Sequence, residues 1–308
     1  MHLGHVAVCD ARGRLVAWAG DPSRAVFARS SMKPLQATVS LSAIGDLALS
    51  DVEVAVMCAS HNGEPVHIRA VRRVLKRAGL DADALRNPPG YPLDPDTMAT
   101  ARRQRRELQN CSGKHAGMLL ACVRAGWDPA TYLRASHPLQ RRITRAVSRA
   151  TGRTHLTMGV DGCGVPVHGM PLRSMATLFA RLARPERLGD LAPFADHAVR
   201  AMRAQPYLVA GKERLDTDLM TACPDVVAKE GAEALSCAAV LPSGLGVAVK
   251  IEDGGWRATG PALIHALRQI DALTDAQVSA LAAHAAPPVR GGGRRVGEMA
   301  AVFALQRR

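Results

Sequence analysis

The sequence predicts an α+β fold in which an antiparallel sheet is covered by helices, and three observations carry this. Alternating apolar residues open the chain at 5–10 and 15–20 around a turn at 10–14. Strand-like runs return at 234–241 and 245–251, joined at Pro242-Ser243-Gly244. Helical periodicity fills the region between. Strands at both ends with helices in the middle do not make the alternating pattern of a parallel sheet. One domain over 1–308 is expected, with strands from both chain ends in its sheet and a helical middle region.

Taken in order, a loop carrying Asp21-Pro22 leads to a helix over 31–47, in which Pro34 suits the first turn. A second helix is expected over 51–57, stopping before Ala59-Ser60-His61-Asn62-Gly63-Glu64, and a third over 65–78. Pro88, Pro89, Gly90, Pro92 and Pro95 make 87–95 a loop or lid. Helical periodicity resumes at 112–125, 137–150 and 192–204, interrupted by glycine-rich stretches, notably 159–169. Helices near 261–270 and 275–284 and a terminal strand over 297–305 complete the reading.

A net charge of +13 raises the question of nucleic acid or an anionic surface. The arginines recur on amphipathic stretches, such as Arg69, Arg72, Arg73 and Arg77, or Arg141, Arg142, Arg145 and Arg149, as the solvated faces of helices do. Aromatic residues are 3% of the chain, too few for a base-stacking platform, so no nucleic-acid partner is expected. No apolar run is long enough to span a membrane and no signal-peptide pattern opens the chain, so no membrane partner and a cytoplasmic setting are expected. Seven cysteines, an odd number at irregular spacing, argue against a disulfide framework.

Four segments carry chemistry. In Arg29-Ser30-Ser31-Met32-Lys33-Pro34, Ser30 and Lys33 are three apart and share a side of a first helical turn. A serine hydroxyl needs a base, and a lysine serves if burial or a second cation keeps it neutral. The plainer reading makes Ser30 or Ser31 a helix cap. In Ala59-Ser60-His61-Asn62-Gly63-Glu64, a hydroxyl, an imidazole, an amide and a carboxylate gather at a helix start, where Glu64 could hold a substrate ammonium or complete a capping box. Asn110-Cys111-Ser112-Gly113-Lys114-His115 and Asp161-Gly162-Cys163-Gly164-Val165-Pro166 put two cysteines in polar, glycine-rich surroundings suited to zinc, although no C-x-x-C pair exists. Lys250 ends an apolar strand; it either snorkels to the surface or faces the site and depresses a neighbouring lysine.

Together these segments resemble the Rhizobium-type L-asparaginases, the asparaginase II family. Arg29 to Gln36, Cys58 to Glu64, Asn110 to Met118, Asp161 to Pro166, Val209 to Thr217 and Lys229-Glu230-Gly231-Ala232-Glu233 carry the likeness, which covers nearly the whole chain. The resemblance implies a β-lactamase or penicillin-binding-like fold, a homodimer, and hydrolysis of the side-chain amide of L-asparagine to L-aspartate and ammonia. It implies two Ser–Lys pairs, Ser30 with Lys33 and Ser60 with Lys250, and zinc held by Cys111, Lys114 and Cys163. His61, Gly63, Glu64, His115 and Asp161 would contact or support the substrate. Family members usually carry an Arg-Gly and a Glu ahead of the first strand. Met1-His2-Leu3-Gly4-His5 opens this chain, so the first strand is expected to be shortened or the true start to lie upstream.

The expected mechanism is acyl transfer: Ser30 attacks, neutral Lys33 takes its proton, and Ser60 with Lys250 relays protons and keeps Lys33 neutral. The alternatives are another amidase or glutaminase on the same scaffold, or an inactive zinc-binding or nucleic-acid-binding homologue. No S-D-N or K-T-G triplet favours penicillin binding.

Overall fold

The computed structural model describes residues 1–307. Eleven strands lie among these residues: β1 (Gly4–Asp10), β2 (Leu15–Ala19), β3 (Ala25–Phe27), β4 (Thr157–Val160), β5 (Pro166–Pro171), β6 (Val226–Gly231), β7 (Leu235–Val240), β8 (Leu245–Ile251), β9 (Pro288–Gly291), β10 (Arg294–Glu298) and β11 (Gln306–Arg307). The first helices are α1 (Lys33–Ile44), α2 (Asp51–Met57), α3 (Pro65–Arg77), α4 (Pro95–Thr100), α5 (Ser112–Arg124), α6 (Pro138–Thr151) and α7 (Leu172–Leu182). The later ones are α8 (Ala192–Ala204), α9 (Pro206–Val209), α10 (Leu215–Ala222), α11 (Thr259–Gln269), α12 (Asp275–Ala280) and α13 (Ala282–Ala285).

The main sheet has the order β11-β2-β1-β8-β7-β6, with every neighbour antiparallel. The fold is therefore α+β, and strands from both ends of the chain share one sheet. Helix α7 packs against β1, β7 and β8, and α11 packs against β7 and β8. Helices on the sheet explain why β7 is buried at every position instead of alternating. Close approach of α7 needs a residue without a side chain on β8: a Cβ at Gly246 would lie 2.0 Å from Ala176 O. A second, helical layer is built around α1, which packs against α5, α6 and α8 and is buried along Lys33–Leu41. The arginines of α3 and α6 named above point to solvent, as amphipathic faces do.

The structure departs from the sequence-based expectations in several places, including the unexpected helices α7 and α10. The helix expected over 31–47 starts as a 3₁₀ turn, Arg29–Met32, continues as α1, and ends at Gly45, whose φ of 76° no longer fits a helix. The glycine-rich stretch 159–169 is part of a small sheet, β3-β5-β4. The terminal strand expected over 297–305 is not formed as such. Its start belongs to the exposed β9–β10 hairpin, and Phe303 O instead accepts hydrogen bonds from His265 and Gln269 of α11 at 2.8 and 3.1 Å. Strand β6 was not expected at all, because Lys229 and Glu230 interrupt its apolar pattern; both are nonetheless buried. No helix among the described residues is long and apolar enough to cross a membrane.

Candidate active site

Five segments converge where the helical layer meets the edge of the main sheet: the Arg29–Met32 turn, the loop after α2, the start of α5, the turn at Asp161–Gly164, and the end of β6. The Arg29–Met32 turn is set by an unusual backbone, since Arg29 has a φ of 45°, in the left-handed region that a side chain disfavours. Arg29 is held there from outside the turn: its guanidinium bonds Asp161 at 2.7 Å and Glu233 at 2.9 Å. Ser31 Oγ donates to Lys229 O at 2.9 Å, tying the turn to β6. This contact requires Gly231, because a Cβ there would lie 2.8 Å from Ser31 Oγ and 3.2 Å from both Ala28 O and Ser31 N. Gly231→Ala should therefore displace the Ser30–Ser31 turn. It is expected to cost about 1–3 kcal/mol in urea unfolding and to lower kcat by a larger factor than that loss of folded protein explains.

Lys33 is 1% exposed, and its Nζ lies 2.6 Å from Ala59 O and 2.7 Å from Ser60 Oγ. Burial pushes the amine down to about 8; the Cys111 and Cys163 thiols oppose this, while the Lys114 and Lys229 cations add to it. A neutral Lys33 donates to Ala59 O and has a lone pair for the Ser60 proton. Among the described residues, no hydrogen bond joins Lys33 to Ser30. Ser30 and Ser60 instead line one cavity of about 390 Å³, together with Leu93, Asn110, Arg214, Glu230, Ala232 and Trp256.

Lys250 does not reach this place, and the expected Ser60–Lys250 pair is not formed. The Lys250 ammonium bonds Glu233 O, in the β6–β7 turn, at 2.5 Å and Ile251 O, at the end of β8, at 2.7 Å. The cation that does lie under the site is Lys229, fully buried, with Nζ 2.5 Å from Asp216. The signal that could have found Lys229 was its place in Lys229-Glu230-Gly231-Ala232-Glu233, where a charged pair interrupts an otherwise apolar run. Asp216 also accepts from Glu230 N at 2.9 and 3.0 Å, and Glu230 faces Arg214 at 3.3 Å.

The other predicted contact residues are near the site but not in the cavity. His61 is buried; its Nε2 bonds Ser112 Oγ at 2.9 Å, and Ser112 in turn donates to Glu107 O. Gly63 N donates to His61 Nδ1 at 3.1 Å, so Nε2 carries the proton and His61 is a neutral brace for the loop. Burial holds its pKa well below the usual range, helped by His67 and Lys33. Glu64 precedes α3 and accepts from Lys212 N at 3.2 Å, and its other oxygen meets the Tyr207 hydroxyl. His115 Nδ1 bonds Tyr132 OH at 2.7 Å, and its buried Nε2 has no partner. Asp161 receives Arg29 and, at 3.3 Å, Cys163 Sγ.

Cys111, Lys114 and Cys163 do come together. Lys114 Nζ lies 2.9 Å from Cys163 Sγ, and Cys111, at the start of α5, is near enough to Cys163 for the two thiols to perturb each other; its own Sγ donates to Asn110 Oδ1 at 3.3 Å. The neighbouring Cys163 thiol, with Lys33 and Lys114 nearby, holds the Cys111 thiol well below its usual range despite burial. Among the described residues no group of three His, Cys, Asp or Glu side chains is arranged to hold a metal ion. The third donor of this trio is an amine. Burial would lower the Lys114 pKa, but the two thiols outweigh it and keep the group an ammonium. Two soft sulfur donors and one nitrogen nevertheless fit zinc, provided that the metal displaces the lysine proton.

The family model for L-asparaginase II matches residues 1–301. The chain belongs to the L-asparaginase II family. It is an asparaginase-type hydrolase of amides. No curated protein matches the chain. Among solved structures, a β-lactamase from Mycobacterium bovis is 16% identical, with 88% of this chain and 95% of that one covered at a TM-score of 0.47. A simvastatin synthase variant from Aspergillus terreus is 13% identical, with 80% of this chain and 86% of that one covered at 0.42.

Proposed function

We propose that this asparaginase II enzyme hydrolyses the side-chain amide of L-asparagine through a serine activated by neutral Lys33. The observation that carries the reading is the 2.7 Å contact of a buried Lys33 amine with Ser60 Oγ, beside a cavity that Ser30 shares. In the first step Ser30 Oγ attacks the amide carbon. Its proton passes to Ser60 Oγ, whose own proton passes to Lys33 Nζ. The C–N bond breaks as Lys33 returns a proton to the leaving nitrogen, and ammonia departs. Water then cleaves the acyl-serine ester, using the same relay in reverse, and releases aspartate.

The direct Lys33–Ser60 contact also favours a second reading, in which Ser60 itself attacks. Quenching turnover and locating the acyl group by peptide mass spectrometry separates the two. Acyl on Ser30, with Ser30→Ala inactive and folded, supports the first reading; acyl on Ser60 supports the second. Substantial ammonia release by a Ser30→Ala, Ser60→Ala double variant would sink both.

Zinc would be held by Cys111, Lys114 and Cys163, and when bound it would supply a fixed positive charge beside the site. The residues of the chain still provide the nucleophile and move the protons. Lys33 lies close enough to these thiols to feel their charge, so its basicity responds to whether they are free. A homodimer is part of the same reading, taken from the family resemblance.

A further inference from the structure

The cavity that holds the two serines also holds an acid and a base that the amide chemistry does not use. Arg214 and Glu230 both line it. Their side chains are 22% and 6% exposed and 3.3 Å apart, so neither is a freely solvated surface charge. Arg214 is pinned next to the nucleophile loop: one Nη donates to Asn62 Oδ1 at 3.0 Å and to Ser60 O at 3.4 Å. Glu230 is fixed through its main chain, whose N–H is held by Asp216. The Asp216 carboxylate is already matched by Lys229, which leaves Glu230 with the single long contact to Arg214 as its ionic partner. Burial and Asp216 both act to raise the Glu230 pKa against the pull of Arg214 and Lys229. A carboxylate desolvated with so little compensation is a place where a second cation is stabilising.

We propose that Arg214 and Glu230 together form the recognition site for the free α-amino-acid end of the substrate, with Glu230 taking the α-ammonium and Arg214 the α-carboxylate. The proposal rests on the reading of this cavity as an amidase site. A zwitterion carries no net charge, and neither does the Arg214–Glu230 pair, so ligand binding leaves the electrostatic balance of the cavity intact while giving each buried ion a second partner. In asparagine the reacting amide is joined to the α-carbon through a single methylene. An α-carbon held at this pair therefore keeps the amide within the same cavity as Ser30 and Ser60. The same recognition excludes asparagine within a peptide, because its α-nitrogen and α-carbonyl are then both uncharged amides.

Binding of products and product fragments tests this without relying on turnover. L-aspartate, succinate (which lacks the ammonium) and β-alanine (which lacks the α-carboxylate) are titrated calorimetrically into the full-length enzyme. Wild type is expected to bind L-aspartate at least about tenfold more tightly than either fragment, on the scale of one charge-assisted contact. Glu230→Gln should bring aspartate and succinate to equal affinity while still rejecting β-alanine. Arg214→Met should do the reverse, with Arg214→Lys, which keeps the charge, recovering part of the discrimination even if Arg214→Met folds poorly. Equal weakening of all three ligands in both variants would mean a structural role and overturn the proposal, as would a wild type that binds none of them or does not distinguish them. Failure of the amidase reading looks different: discrimination would remain, but wild type would release no ammonia from asparagine.

Discussion

Lys33→Met is expected to lower ammonia release from L-asparagine by about 10²–10⁴-fold, the usual contribution of a general base, with the circular dichroism spectrum unchanged. Lys250→Met is expected to leave both the rate and its pH dependence as they are. The contrast follows from position. Lys33 is buried against Ser60 Oγ, whereas Lys250 caps two main-chain carbonyls, one in the β6–β7 turn and one at the end of β8. The pH dependence gives a sign as well. Burial pushes Lys33 down to about 8, and only the unprotonated amine can accept a proton. The rate should therefore climb as pH rises through about 8 and level off above it. A flat profile from neutral to alkaline pH, or a Lys33→Met enzyme that retains most of its activity, would remove lysine as the base.

Asp216→Asn should be among the most destabilising single changes available, at about 3–5 kcal/mol. Asp216 and Lys229 are both wholly buried, 2.5 Å apart, and the same carboxylate receives Glu230 N. Removing the negative partner strands the Lys229 ammonium in a strand buried at every position. Against a total stability of about 5–15 kcal/mol for a domain of ordinary size, this is a large share. Urea unfolding measures it through the shift of the midpoint at constant slope. Changing both partners to apolar residues, Asp216→Leu with Lys229→Met, should recover much of the loss, since no unpaired charge remains. A single variant with the wild-type midpoint would mean that the pair is not ionised in the folded enzyme.

Some of this molecule is legible in one dimension. The arginine faces of α3 and α6 follow from the local alternation of apolar and polar residues, because in such segments one face meets water and the other does not, while the β1–β2 hairpin and the strands around Pro242-Ser243-Gly244 follow from short apolar runs bounded by turn residues. The cysteine pair is legible for another reason: thiols in polar, glycine-rich stretches fit core packing poorly, and Cys111 and Cys163 do meet, with Lys114 between α5 and the Asp161–Gly164 turn.

What the chain alone could not decide is which charged group faces which. Lys229 and Glu230 look like a break in a strand, and only Asp216 on α10 and Arg214 just before it make them tenable inside the sheet. Lys33 is spaced to meet Ser30 on one helical turn. The backbone at Arg29 takes a left-handed turn instead, and the loop after α2 brings Ser60 to the amine. The sequence by itself determined the α+β pattern, the serine and lysine at the start of α1, and the pair of cysteine loops. Tertiary structure decided that the partner of Lys33 is Ser60 and that the cation beneath the site is Lys229 and not Lys250. The physical reason is that local spacing sets which side chains share a turn, whereas a buried charge is positioned by partners supplied from elsewhere in the chain.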